Sequence, residues 1–149
     1  MPVGRLDHYS IRTLDIEASR RFYTGIMGFT VGFRPPFDFP GIWLYNGVQY
    51  PETTGVVHII GIDPHNPQGL KDYLGDRDPA SLQGTGTVDH MAFTASDLKA
   101  VKARFDAAGL KYELRRQPGR DGRPGTWQLF SHDPNGARVE LDFDAAESP

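Results

Sequence analysis

Four side chains in this sequence have the types and spacing for chemistry: His8, His58, His90 and Glu140. His8 and His58 stand 50 positions apart, and so do His90 and Glu140. Imidazole nitrogens with a carboxylate oxygen suit zinc, iron, manganese, nickel or cobalt, so the donor set fits one divalent metal ion. The other two histidines, His65 and His132, fall in polar stretches and read as ordinary surface residues. No cysteine is present, which removes disulfides, thiolate zinc sites and thiol catalysis.

Equal spacing calls for a repeated scaffold. Residues 5–15 read RLDHYSIRTLD and residues 87–97 read TVDHMAFTASD: an Asp-His pair, alternating apolar positions, then an acidic helix start. Period-2 alternation predicts a strand carrying each histidine. A helix follows in each copy. In the first, Asp15 is the cap, and Ala18, Phe22 and Ile26 recur four apart. In the second, Ser96 or Asp97 is the cap, and Leu98, Val101, Phe105 and Ala108 make one apolar stripe. Gly28 and Gly109 end the two helices, as a left-handed C-terminal cap requires. Three strands are then expected in each copy: Phe29–Phe33, Gly41–Tyr45 and Val56–Ile60 in the first, Leu110–Leu114, Thr126–Phe130 and Ala137–Leu141 in the second.

The expected organisation is a single domain over 1–149, with module 1 at 5–62, a linker at 63–86, module 2 at 87–143 and a frayed acidic tail at 144–149. The linker, rich in Pro, Gly and Asp, holds one short helical turn at Leu70–Leu74. Strand geometry puts His8, Ser10 and Arg12 on one face, and likewise His90, Ala92 and Thr94. Val56, His58 and Ile60 share a face, as do Arg138, Glu140 and Asp142. Arg12 is thereby the candidate for gripping an anionic substrate group. Trp43, Tyr45 and Trp127 read as core or wall, and Arg115, Arg116, Arg120 and Arg123 as a solvated basic cluster. A formal charge of −3 with interspersed signs argues against nucleic acid or an anionic membrane as partner. The short apolar runs and the absence of a leader-like segment point to a cytoplasmic protein.

The words LDHYSI, SRRFYTGIMGF, VDHMAF and DPNGARVEL, in this order across nearly the whole chain, resemble the vicinal oxygen chelate superfamily. That group holds glyoxalase I, methylmalonyl-CoA epimerase, extradiol dioxygenases and fosfomycin-resistance proteins. The resemblance implies an α+β fold of two tandem βαβββ modules, whose curved mixed sheets form a cup around a metal site. It carries His8, His90 and Glu140 across as ligands; His58 falls where glyoxalase I has Glu and the epimerase has Gln. His58 and Glu140 are the candidate catalytic residues.

The implied activity is that of a lyase or isomerase, chelating a small oxygen-bearing substrate and moving a proton beside its carbonyl. An extradiol dioxygenase would place an acid–base histidine at His58. Its closing motif has a Tyr where Phe130 stands and an upstream His that Asp121 to Arg123 do not supply. Drug-sequestering members, a third possibility, lack the ligand set altogether. A homodimer is expected, since edge strands and one apolar sheet face are usually buried against a second copy.

Overall fold

The computed structural model describes residues 6, 8–53, 55–76, 82–86, 88, 90–119 and 124–149. The Asp7 and Asp89 of the two Asp-His pairs, and the Arg120–Arg123 stretch, lie outside the described residues. The chain divides into two compact units, Met1–Leu82 and Gln83–Pro149.

In the first unit β1 (Tyr9–Thr13) leads through α1 (Ile16–Arg21) and a π-helical segment (Phe22–Ile26) to β2 (Thr30–Gly32), β3 (Gly41–Tyr45) and β4 (Val57–Gly61). A helix α2 (Gln68–Leu74) follows. The second unit repeats the order with β5 (Met91–Thr94), α3 (Leu98–Ala107), β6 (Glu113–Gln117), β7 (Thr126–His132) and β8 (Arg138–Asp144). The two mixed sheets run β1-β4-β3-β2 and β5-β8-β7-β6. The first strand of each lies parallel to the last, and the other pairs are antiparallel. Each sheet therefore has the βαβββ connectivity expected from the repeat.

Local chemistry accounts for the helices. Asp15 Oδ1 accepts from the Ala18 amide at 2.8 Å, satisfying an orphan donor of α1. Past Arg21 the helix widens, and the Met27 amide reaches back five residues to the Phe22 carbonyl at 3.2 Å. Ser19, Phe22, Tyr23 and Ile26 are buried along one face of this helical stretch. Gly28 and Gly109 sit at φ 77° and 64° beyond the helix ends, the left-handed backbone that glycine adopts without steric cost.

Strand ends shift by one or two residues from the sequence reading, as at β2, β4 and β7, and three differences are larger. β6 begins at Glu113, three residues later than expected, because its register is set by Glu113 pairing with Phe130. The linker forms two full turns of helix rather than one short turn. The chain end is tied down where fraying was expected: β8 continues to Asp144, Glu147 Oε2 accepts from the Leu98 amide at 2.6 Å, and its carbonyl accepts from Trp127 Nε1 at 2.9 Å. Among the described residues no helix is long and apolar enough to cross a membrane.

The buried residues Leu44, Tyr45, Val57 and Ile59 form the first unit's core with Phe22, Tyr23 and Phe29. Leu129, Val139, Leu141 and Phe143 do the same for the second, with Leu98, Val101 and Phe105 of α3. Tyr45 is therefore core, as expected.

Candidate functional site

Each sheet brings two of the four expected ligands together by the same construction. The central last strand carries one donor, and the other is the histidine just before the parallel edge strand. In the first sheet His58 of β4 pairs with Ser10, two residues beyond His8. In the second, Glu140 of β8 pairs with Ala92, two residues beyond His90. Identical offsets follow from identical register. Because side chains alternate along a strand, the residue two back shares the face of the paired residue.

The first pair is a ring stack. The His8 and His58 rings lie 3.8 Å apart, centroid to centroid, and 19° from parallel. On the other side, the Trp43 indole lies 4.0 Å from His58 at 5°. Trp43 is His58's partner on β3, and β4 runs between β1 and β3, so the imidazole is sandwiched. His58 is only 7% exposed, whereas His8 is exposed. Trp43, read from sequence as core or wall, is thus part of the site.

The second pair is in direct polar contact, His90 Nε2 lying 2.6 Å from Glu140 Oε2. Gln128 Nε2 donates to the other oxygen, Glu140 Oε1, and also to Asp142 Oδ1 at 3.2 Å. Glu140 is 4% exposed. Burial first, and then the nearby Asp142 carboxylate, push its carboxyl above the ordinary value, partly opposed by His90 and Arg138. Phe130, the cross-strand partner of Glu140, meets the His90 ring edge-on at 5.5 Å. The guanidinium carbons of Arg138 and Arg115 lie 4.5 and 5.0 Å from its centroid. Arg115, expected to be merely solvated, also makes two hydrogen bonds to Glu113.

The DPNG word forms the turn that delivers β8: Asp133 Oδ1 accepts from the Asn135 and Ala137 amides at 2.9 and 2.8 Å. Among the described residues no three His, Cys, Asp or Glu side chains gather as a metal site; the expected ligands stand as two pairs, one in each unit. Arg12 shares the His58 face, since it pairs with Ile60, and it lines a pocket of about 330 Å³ with Leu14, Ile62, Leu70 and Lys71. His65 is exposed in a loop, its amide bonded to Asp63 Oδ1 at 2.8 Å. His132, expected in a loop, ends β7 and is exposed.

Gln128 and Arg34, which lines a small cavity with Ser10, Trp43 and His58, join the site without having been singled out in the sequence, and Trp43 was read there only as core or wall. Period-2 alternation could have found Gln128, which stands two residues before Phe130 on one face of β7. It could equally have found Trp43, once β3 is registered against His58. Arg34 precedes Pro35-Pro36 in an irregular loop, where no periodicity applies.

The Glyoxalase/Bleomycin resistance protein/Dioxygenase superfamily matches over residues 5–141. The chain belongs to that superfamily. It is 29% identical over 148 residues to an ethylmalonyl-CoA/methylmalonyl-CoA epimerase of Cereibacter sphaeroides, covering 94% of this chain and 98% of that one. It is 24% identical over 138 residues to glyoxylase I 4 of Arabidopsis thaliana, covering 91% and 68%. Among solved structures, a lactoylglutathione lyase from Agrobacterium tumefaciens superposes with a TM-score of 0.62 at 20% identity, with 95% of each chain covered. The fosfomycin resistance protein FosX of Listeria monocytogenes, as a mutant complexed with Mn(II) and a dihydroxypropylphosphonic acid, gives 0.60 at 14%, covering 97% and 95%. At these identities the two structures speak for the fold.

Proposed function

We propose that this protein is a divalent-metal-dependent lyase or isomerase acting on a small substrate with oxygens on neighbouring carbons. His8, His58, His90 and Glu140 are the proposed ligands, one pair from each unit, drawn from one chain or from two copies. The observation that carries the reading is the matched construction of the pairs, with a ligand on each central strand set against a histidine just before each parallel edge strand.

The His90–Glu140 pair supports the reading. Ligands at about 2.1 Å from a metal at right angles to each other are about 3 Å apart. His90 Nε2 and Glu140 Oε2, at 2.6 Å, need open by only a few tenths of an ångström. Gln128 on the remaining Glu140 oxygen is the kind of outer hydrogen bond that orients a ligating carboxylate. Imidazole ligates in its ring plane, so the stack on His58 occupies the ring faces and not the nitrogens. When bound, the ion supplies Lewis acidity to a substrate oxygen. Glu140, oriented by Gln128, is the proposed group to hold or move a proton; His58, clamped by His8 and Trp43, is proposed as a ligand, and would be the acid–base group in its place if the ion takes only three ligands. Arg12 is the proposed contact for an anionic part of the substrate.

Phe130 favours the lyase or isomerase reading over ring cleavage, because the side chain beside Glu140 carries no hydroxyl. The test is elemental analysis of the purified protein, with oxygen uptake on catechols as the second assay. About one zinc, manganese, iron, nickel or cobalt ion per chain and no oxygen uptake are expected. Oxygen uptake would move the reading to a dioxygenase. Failure to bind any of these ions would leave a non-catalytic binder. The edge strands β1, β2, β5 and β6 support a homodimer, and light scattering at micromolar concentration should give twice the chain mass.

A further inference from the structure

Two positions before the cross-strand partner of each candidate ligand, one sheet has a side chain and the other has none, and an arginine lies against the bare position. In the second sheet Gln128 pairs with Asp142 and reaches Glu140. The corresponding position of the first sheet, opposite Ile60, is Gly41. A Cβ at Gly41 would lie 2.5 Å from the Ile59 carbonyl oxygen, which is what requires glycine there, and 3.2 Å from Arg34 Nε, so the guanidinium packs directly against the bare backbone at Gly41.

Arg34 is half-buried, and its guanidinium carbon lies 5.1 and 5.0 Å from the Phe37 and Phe39 ring centroids. Nη2 donates to the Phe39 carbonyl at 2.7 Å. That uses one of five N–H donors. Among the described residues no carboxylate pairs with it. Burial alone moves its titration, downward, with no anion opposing. Arg34, Ser10, Trp43 and His58 line one small cavity of about 20 Å³, rimmed by Phe37 and Tyr73. A space of that size takes one water or one small polar group.

We propose that Arg34 forms a carboxylate-binding subsite beside His58, selecting substrates in which a carboxylate is joined to an aromatic or other flat apolar group. The carboxylate enters the cavity and pairs with the guanidinium, the strong charge-assisted bond that planar arginine makes with planar carboxylate. The apolar group lies against Trp43, Phe37 and Tyr73. The subsite rests on the reading of the His58 wall as a substrate surface and adds the class of substrate.

The test is calorimetric titration of the full chain with benzoate, and with benzyl alcohol as the uncharged probe. Both are run on metal-free and metal-loaded protein, for wild type, Arg34→Lys and Arg34→Gln. Benzoate should bind wild type even without metal, at least tenfold more weakly to Arg34→Gln and several-fold more weakly to Arg34→Lys; benzyl alcohol should respond to neither change. If Arg34 only braces its loop, the Gln variant loses melting temperature while its benzoate affinity stays at the wild-type value, and the proposal falls. Should Arg34→Gln not fold, the Lys variant keeps a donor for the Phe39 carbonyl and decides alone: unchanged benzoate affinity overturns the subsite. No benzoate binding to wild type also overturns it. Metal content is read separately. Benzoate binding that depends on Arg34 in a protein that takes no metal would sink the metal reading and leave the subsite standing.

Discussion

The two sheets share order, register and the placement of a donor beside a histidine, yet they hold those donors by different forces. In the first, His58 is held by ring faces, between His8 and Trp43, with an arginine nearby in an aromatic cage. In the second, Glu140 is held by hydrogen bonds and charge, between His90 and Gln128 and against Asp142. A repeat fixes where side chains stand, because register follows from backbone pairing. It leaves open what steadies them, because that depends on the identities at the flanking positions. The stacked half presents neutral ring faces. The hydrogen-bonded half sets two carboxylates, Glu140 and Asp142, side by side.

The largest effect should come from removing the charged donor. A metal at a hundredfold excess over its Kd stabilises the native state by about 2.7 kcal/mol. For a chain of this size that raises Tm by roughly 5–10 °C. Glu140→Ala should abolish the shift. His58→Ala should weaken metal affinity less, since water can replace an imidazole, and His58→Gln should restore part of it. Full metal occupancy in His58→Ala with turnover lost would instead make His58 an acid–base group and break the symmetry of the two pairs.

Gln128→Leu should lower metal affinity by about 10- to 100-fold, the usual cost of losing an outer hydrogen bond to a ligand. Metal titration against a competing chelator would read this. An unchanged affinity would mean that the carboxylate needs no such support.

The same comparison has a pH signature without metal. Glu140's folded pKa lies above its ordinary value of 4.5, chiefly through burial. Its contribution to stability is therefore fully present below the unfolded pKa and lost as pH rises through the folded one. Chemical denaturation of metal-free protein should show stability falling from about pH 4.5 upward relative to Glu140→Gln, in which that part of the slope is absent. Metal binding should run the opposite way and strengthen with pH, because the ion displaces protons.

The smallest test compares the two helix caps. Asp15 and Asp97 both accept from the amide three residues on, but Asp97 sits at φ 62°. Asp15→Ala should cost about 1 kcal/mol. Asp97→Ala should cost about 2 kcal/mol, because alanine also resists the left-handed backbone, while Asp97→Asn should be close to neutral.

The sequence by itself determined the repeat, the order of elements in each copy and the face on which His8, His58, His90 and Glu140 stand. These depend on periodicities of two and 3.6 residues, which are local and survive in a string of letters. The DPNG turn and the Asp15 cap were legible for the same reason. Only the tertiary structure decided that Trp43 covers His58, that Gln128 holds Glu140, that Arg34 lies against Gly41, and that Glu147 ties the chain end to α3. Those contacts join residues 7 to 49 positions apart across strands or through irregular loops. They depend on register and on the path of the chain in space, neither of which is written at any single position.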